Sequence, residues 1–197
     1  MITVNPKKIP GKWCEGYALD WHTISSTFIG YDEYGHEQFD TKRSDIGEKL
    51  YLLKYKSDRS VINEIVKTVQ GFLLKWKPPI EAVVPTPPSK KYRSFQPVLE
   101  IAKALSTLTQ LPLHSRCVVK VKGTPEIKSI HGYDERIHAL ANAFSITTSV
   151  LKGKTVLLLD DLFRSGATLN AISDLLYTQG HVADVYALAL TQTRSRS

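Results

Sequence analysis

A pair of adjacent carboxylates directly follows an apolar run in the last quarter of the sequence. Val156 to Leu159 precede Asp160 and Asp161 without a gap. Four apolar residues in a row are typical of a buried strand, so we expect the two carboxylates at its open carboxyl end. Paired carboxylates accept hydrogen bonds from a vicinal diol or hold a divalent metal ion. Asp160 and Asp161 are therefore candidate catalytic residues and candidate metal ligands.

A short polar loop continues from these carboxylates and opens a predicted helix. Its candidate phosphate-binding residues are Arg164, Ser165, Gly166, Ala167 and Thr168. Backbone N–H groups at a helix N-terminus can wrap a phosphate, and the Ser165 and Thr168 hydroxyls can donate to it. Each half of the segment alone has a simpler interpretation. The carboxylates could be the solvated end of a strand, and the Ser165 or Thr168 hydroxyl could only cap the helix. Their direct succession favours a site for a ribose 5-phosphate, which carries both a diol and a phosphate.

A nucleotide triphosphatase is the competing interpretation of this segment. Gly153-Lys154-Thr155 is similar to the end of a Walker A loop, and an apolar strand ending in Asp resembles a Walker B strand. A Walker A loop needs glycine where Thr148 stands, and its Gly-Lys-Thr must open a helix rather than lead into a strand. The sequence therefore excludes this class.

Positive charge is concentrated between residues 86 and 128. The basic residues there are Lys90, Lys91, Arg93, Lys103, Arg116, Lys120, Lys122 and Lys128, against Glu100 and Glu126. This window supplies +6 of the formal net charge of +7. An anion is expected nearby, and the alternative is a solvated basic face. The cluster of Ser89, Lys90, Lys91 and Arg93 directly follows a predicted strand, which favours a ligand-binding loop.

The elements that would position these residues alternate between strands and helices. An aromatic-rich beginning contains a predicted hairpin around residues 22–35. Strands are predicted at residues 80–84, 117–121, 155–160 and 185–190, and helices around residues 46–53, 62–76, 98–108, 134–142 and 167–178. This alternation predicts an α/β fold with a mostly parallel sheet flanked by helices, whose ligands bind at the carboxyl ends of the strands.

Length and composition limit the organisation of the chain. With 197 residues and 42% hydrophobic content, there is room for one ordinary core. We predict a small β-rich N-terminal hood over residues 1–45, a core over residues 46–192 and a polar tail over residues 193–197.

The number of cysteines and the hydropathy of the sequence indicate where in the cell the protein is expected. Cys14 and Cys117 are too few for a four-cysteine zinc site and are typical of reduced thiols in the cytosol. No apolar run approaches the roughly 18 residues needed to span a bilayer, and no signal-peptide pattern follows the first lysines. We expect a cytoplasmic protein without a membrane partner.

Residues 156–168 resemble the phosphoribosyl pyrophosphate (PRPP) signature of type I phosphoribosyltransferases, an apolar strand followed by Asp-Asp and a Ser/Thr-Gly-x-Thr loop. Within that superfamily the chain is most similar to the ComF-like proteins associated with competence for DNA uptake. The other matching segments are Leu53-Lys-Tyr55, Val84-Pro-Thr-Pro87, Arg93-Ser-Phe-Gln96, Thr124-Pro125, Arg136 and Ala143-Phe144. The resemblance covers about residues 46–190, and the chain departs from the family in lacking its four-cysteine zinc element and in having Phe163-Arg164-Ser165 for the usual Tyr-Thr-Thr.

The resemblance implies transfer of phosphoribose from PRPP to a nitrogen acceptor, with Mg²⁺ as cofactor and pyrophosphate as leaving group. It implies that Asp160 and Asp161 contact the ribose hydroxyls, directly or through the metal, and that residues 164–168 hold the 5-phosphate. Ser89, Lys90, Lys91 and Arg93 would face the pyrophosphate, and Lys122 and Lys128 would lie on a mobile loop that closes over it.

The acceptor is not determined by these residues. In the superfamily a variable hood selects it, and Trp13, Trp21 and Tyr31 of this hood either stack a base or form the hood's own small core. A second class of function is a non-catalytic protein on the same fold that senses a nucleotide or binds single-stranded DNA. Single-strand binding needs aromatic residues among the basic ones, and the basic window offers only Tyr92 and Phe95. The assembly also stays open, with a homodimer as one alternative.

Overall fold

Five strands form the central sheet of the computed structural model, which describes residues 2–88, 95–121, 140 and 143–194. The nine strands of the described chain are β1 (Lys7–Lys8), β2 (Glu15–Ala18), β3 (Thr23–Tyr31), β4 (Glu37–Arg43), β5 (Ala82–Pro85), β6 (Val118–Lys120), β7 (Phe144–Ile146), β8 (Thr155–Phe163) and β9 (Asp184–Gln192). The central sheet has the order β1-β2-β9-β8-β5. Its neighbouring strands are parallel except for β1 and β2, so the predicted mostly parallel sheet is confirmed.

Helices cover both faces of this sheet. They are α1 (Asp45–Tyr55), α2 (Ile62–Trp76), α3 (Pro97–Thr109) and α4 (Ala167–Thr178). Along β8, Val156 and Leu158 pack into the core cluster that contains the buried face of α4, whereas Leu157 and Leu159 pack into the cluster of α1, α2 and α3. This alternation follows from the two-residue period of a strand and leaves β8 apolar on both faces.

Local sequence signals explain where several helices begin and end. The Ser44 hydroxyl accepts a hydrogen bond from the Gly47 N–H at 3.1 Å and caps α1. Helix α2 ends at Trp76, before Pro78 and Pro79, because proline cannot continue the backbone hydrogen-bond pattern. Helix α4 covers the predicted residues 167–178.

Two antiparallel strand pairs lie apart from the central sheet. Strands β3 and β4 form the predicted hairpin. The strand predicted at residues 117–121 corresponds to β6, which pairs with β7 rather than with the central sheet. Most of the helix predicted at residues 134–142 lies outside the described residues.

The N-terminal residues contribute directly to the central sheet. Strand β2 pairs with β9 from Glu15↔Tyr186 to Ala18↔Ala189, and β1 pairs with β2. The division into a hood over residues 1–45, a core over residues 46–192 and a tail over residues 193–197 stays a prediction. Within the described part of the chain, no helix combines the length and the apolar character needed to cross a membrane.

Candidate functional site

Asp160 lies in the last part of β8, just past the end of the neighbouring strand β5. The Thr86 hydroxyl donates to Asp160 Oδ1 at 2.8 Å, and the Asp161 N–H donates to the same oxygen at 2.8 Å. Burial, followed by the charge of Asp161, raises the pKa of Asp160 to about 7. Asp160 can therefore exchange a proton near neutral pH. Its second oxygen, Oδ2, makes no hydrogen bond to the described residues.

The neighbouring carboxylate, Asp161, forms an ion pair with a lysine from a distant helix. Lys54 Nζ, from α1, lies 2.7 Å from Asp161 Oδ2, and the two side chains are 18% and 19% exposed. A pair shielded to this degree is weakened by salt less than a surface pair. Asp161 Oδ1 makes no hydrogen bond to the part of the chain that the structure describes.

A histidine from the N-terminal segment lies at the same edge of the sheet. The Thr191 hydroxyl lies 3.0 Å from the Asp161 carbonyl oxygen and 3.1 Å from His22 Nδ1. The carbonyl only accepts, so the hydroxyl proton points to it, and Nδ1 must carry the proton of the imidazole ring. Burial and then the charges of Lys54 and Arg43 lower the pKa of His22. The ring is therefore neutral at pH 7, with a lone pair on Nε2.

The loop between β8 and α4 has the backbone geometry of an anion site. Gly166 precedes the helix with a φ of 74°, and no side chain of the described residues caps the helix N-terminus. A Cβ at Gly166 would lie 2.9 Å from Phe163 Cε2, so the close approach of the loop requires glycine. Arg164 and Ser165 are exposed and Thr168 is half-buried. The first-turn N–H groups and these side chains are available to a phosphate.

The structure thus brings together the carboxylates and the loop that the sequence places in succession. The predicted pyrophosphate residues Ser89, Lys90, Lys91 and Arg93 lie outside the described residues, as do the mobile-loop residues Lys122 and Lys128. Their roles stay predictions.

The three aromatic residues considered for base stacking have different surroundings. Trp13 packs against the core, donates from Nε1 to the Ile9 carbonyl at 3.1 Å and makes an edge contact with Phe163. Tyr31 is 66% exposed on the hairpin. Trp21 lies beside the end of β9. Lys7 Nζ lies 5.4 Å and the Arg194 guanidinium 5.5 Å from the centroid of its ring. Trp13 is therefore a packing residue, and of these three aromatic residues Trp21 is the one that bridges to the end of β9.

Three residues of this site were not selected from the sequence: Thr86, Lys54 and His22. Lys54 and Thr86 stand within Leu53-Lys-Tyr55 and Val84-Pro-Thr-Pro87, so the resemblance contained a signal for both. His22 had no such signal, because only the pairing of β2 with β9 brings it to the carboxylates.

The donor set for a metal ion is small. Within the described ranges, no cluster of three or more His, Cys, Asp and Glu side chains could enclose a metal ion. Asp160 Oδ2 and Asp161 Oδ1 remain as two carboxylate oxygens without a hydrogen-bonding partner there. Mg²⁺ commonly takes one or two protein carboxylates and completes its shell with water and substrate oxygens. The residues therefore fit a Mg²⁺ ion that is shared with a ligand.

Comparison with known proteins identifies the fold. No protein-family model and no curated protein matches the chain. The structure is similar to adenine phosphoribosyltransferase from Leishmania tarentolae, with 12% identity, a TM-score of 0.50 and coverage of 95% of this chain and 94% of that chain. At this identity the likeness shows the fold alone, and it confirms the predicted α/β class.

Two further solved structures match less closely in TM-score. Adenine phosphoribosyltransferase from Saccharomyces cerevisiae, complexed with adenine and an imino-altritol bisphosphate, has 11% identity, a TM-score of 0.47 and coverage of 85% of each chain. Hypoxanthine phosphoribosyltransferase from Staphylococcus aureus has 19% identity, a TM-score of 0.44 and coverage of 70% of this chain and 66% of that chain.

Proposed function

We propose that this chain binds PRPP with Mg²⁺ and transfers phosphoribose to a nitrogen acceptor, with release of pyrophosphate. One observation carries the proposal: Asp160 and Asp161 lie in the last part of β8, beyond the end of β5, and the loop after β8 leads into a helix N-terminus that no described side chain caps. A diol-binding group beside a phosphate-binding group is what a ribose 5-phosphate unit requires.

The carboxylates and the loop divide the recognition of this unit between them. Asp160 and Asp161 would contact the ribose hydroxyls through Asp160 Oδ2 and Asp161 Oδ1, either directly or through a bound Mg²⁺. The metal, when bound, offsets the negative charge of the pyrophosphate. Residues 164–168 hold the 5-phosphate through the first N–H groups of α4, the Ser165 and Thr168 hydroxyls and the Arg164 guanidinium.

The leaving group needs positive charge on the other side of the ribose. Ser89, Lys90, Lys91 and Arg93 are proposed to bind the pyrophosphate, and Lys122 and Lys128 to close over it. This assignment is supported by the end of β5 lying beside β8, because the loop that follows β5 starts at the same edge as the carboxylates.

His22 would supply a proton acceptor for the nitrogen nucleophile. As the C1–oxygen bond breaks, its electron pair leaves with pyrophosphate, and the nitrogen lone pair forms the new bond to C1. The N–H proton of the acceptor then passes to Nε2 of the neutral His22 ring. The ring orientation is held by Thr191, which is completely buried.

Calorimetry with PRPP and Mg²⁺ tests the binding step, and a screen of purine, pyrimidine and amine acceptors for released pyrophosphate tests the transfer. Asp161→Asn should weaken ribose 5-phosphate binding about tenfold, which corresponds to about 1.4 kcal/mol. The amide has a single acceptor oxygen and no negative charge with which to bind a metal ion. Absence of heat with PRPP, ribose 5-phosphate and every nucleoside monophosphate at millimolar concentration would refute the proposal.

His22→Asn isolates the role of the imidazole. An Asn amide can still donate to Thr191, but it has no atom at the Nε2 position. Pyrophosphate release should fall about 10²-fold, the usual contribution of a general base, while PRPP affinity stays unchanged. An equal loss of PRPP affinity would show that His22 only shapes the ribose site.

Single-stranded DNA binding is a second candidate, which one observation favours. Trp21 between Lys7 and Arg194 combines an aromatic face with two cations, as single-strand binding surfaces do. Lys90→Ala with Lys91→Ala separates the two functions. For the enzyme, PRPP affinity should fall far more than that of ribose 5-phosphate. For the DNA-binding protein, the salt dependence of DNA affinity should become shallower by about 0.7 for each phosphate that the variant no longer neutralises.

A further inference from the structure

The hairpin of β3 and β4 carries most of the exposed large apolar side chains of the described chain. Six of them lie on it: Ile24 (39% exposed), Phe28 (48%), Ile29 (64%), Tyr31 (66%), Tyr34 (77%) and Phe39 (48%). No hairpin residue belongs to either core cluster. Among the strands of the described residues, these two pair only with each other. The hairpin therefore offers apolar surface that the described part of the chain leaves uncovered.

The aromatic rings of the hairpin are already assembled into a cluster. Phe28 makes edge-to-face contacts with Tyr31 at 5.2 Å and with Phe39 at 5.7 Å between ring centroids. A two-stranded hairpin is marginally stable by itself, and a contiguous exposed apolar patch marks an interaction surface. This surface is expected to gain stability from a partner.

The charge of the hairpin indicates the nature of the partner. Residues 23–43 contain four carboxylates against two basic side chains, a net charge of −2, which leaves +9 for the rest of the chain. Asp32 and Glu33 lie at the turn, Glu37 begins β4, and Asp40 lies within β4 opposite Thr27. Such a surface repels nucleic acid and anionic membranes and attracts a basic protein surface.

We propose that this hairpin docks on a second copy of this chain, whose body supplies the basic surface. A two-fold arrangement would let each copy extend its hairpin to the other, so the contact is made twice. The hairpin spans residues 23–43, a length within the roughly 20–30 residues that each partner contributes to a standard interface. This inference is independent of the proposed function.

The turn of the hairpin is organised before docking. Asp32 Oδ1 accepts from the Tyr34 N–H at 2.9 Å and from the His36 N–H at 2.8 Å, and Oδ2 accepts from Gln38 Nε2 at 3.1 Å. An ordered tip loses little conformational entropy when it binds.

Sedimentation across micromolar concentrations of the full chain tests the proposal. Wild type should dimerise, and Phe28→Ser with Phe39→Ser should weaken the dimer at least tenfold. Leu74→Ser with Val150→Ser is the matched control, because these apolar side chains are 67% and 47% exposed but lie outside the hairpin. The control should keep the wild-type dimerisation constant, and circular dichroism should show that every variant is folded.

Charge reversal tests the complementarity. Glu33→Lys with Glu37→Lys should also weaken the dimer, and raised salt should weaken the wild-type dimer. A wild-type monomer at every concentration would overturn the proposal and leave the hairpin to a different protein. A dimer insensitive to both hairpin variants would overturn it as well.

Discussion

The ion pair of Lys54 with Asp161 is a feature of single residues that can be measured directly. Lys54→Met should cost about 1–3 kcal/mol of unfolding free energy, because it leaves a largely shielded carboxylate without its partner. The double variant Lys54→Met with Asp161→Asn should recover more than half of this loss. Urea unfolding measures both, and simple additivity of the two single effects would contradict the coupling.

Asp160 should make the stability of the protein depend on pH. Its pKa is raised from 3.8 to about 7 in the folded state, so the folded protein holds this proton more tightly than the unfolded chain. Ionisation therefore costs stability as the pH rises between these values. In metal-free buffer, Asp160→Asn should unfold at a higher temperature than wild type at pH 8, and the difference should shrink at pH 5. A difference that is the same at both pH values would show that burial does not perturb this carboxyl.

The part of the site that is contiguous in the chain was predictable from the sequence. Asp160, Asp161 and Gly166 lie within seven residues, so one strand and one turn fix their relative positions. Thr86, Lys54 and His22 come from three other segments, and only tertiary packing brings them to the carboxylates. Local patterns carry no information about such distances.

At the scale of elements, the turn into α4 can be tested with a pair of glycines. Gly166 and Gly153 have φ values of 74° and 71°, but a Cβ at Gly153 would meet no atom of the described residues within 4 Å. Gly153→Ala should cost about 1 kcal/mol for its left-handed backbone alone. Gly166→Ala should cost about 1–3 kcal/mol more, because its Cβ crowds the Phe163 ring.

Thermal and urea unfolding of both variants separate these two contributions. Equal losses would mean that the Phe163 ring moves aside without cost. If the phosphate binds at this turn, Gly166→Ala should also weaken ribose 5-phosphate binding, and Gly153→Ala should not.

The elements themselves were predictable to different degrees. The limits of α4 follow from Gly166 and Gly180, which bracket an apolar helical stripe. Strand β8 extends to Phe163, beyond the predicted residue 160, because Leu162 and Phe163 continue to pair with β9. Strand β2 has the sequence Glu-Gly-Tyr-Ala, which has no strand pattern, so its place in the sheet depends on β9 rather than on its own residues.

Across the whole molecule, Glu15 connects the sheet to α2 and should control stability in acid. Its carboxylate lies 2.8 Å from Lys8 Nζ and accepts from Trp76 Nε1 at 2.7 Å. These hydrogen bonds lower the pKa of Glu15 from 4.5 to about 2. The stability that they supply is fully present above the unfolded value and is lost as the pH falls towards the folded value.

Glu15→Gln should therefore destabilise the protein at pH 6 and have a much smaller effect near pH 2. Urea unfolding at the two pH values measures this change. Lys12 and Asp174, paired at 3.0 Å with side chains 60% and 56% exposed, give a control pair whose removal should matter little. An unchanged loss at low pH would assign the effect of Glu15→Gln to packing rather than to charge.

The fold class was accessible from the sequence, whereas the order of the strands was not. Alternating strand and helix signals from residue 44 onward already favour a parallel sheet. The insertion of β2 beside β9 joins segments that are far apart in the chain, and no short-range signal marks such a pairing.

This pairing has a consequence for synthesis on the ribosome. Residues 15–18 are made early, but their partners are residues 186–189. Because synthesis proceeds at about 5–20 residues per second, β9 is completed roughly 10 to 30 s after β2. Strand β8 also pairs with β9, so one late strand joins both of them. A nascent chain that stalls before residue 184 would expose an unpaired edge of β8, and a chaperone that covers this edge would raise the yield of folded protein.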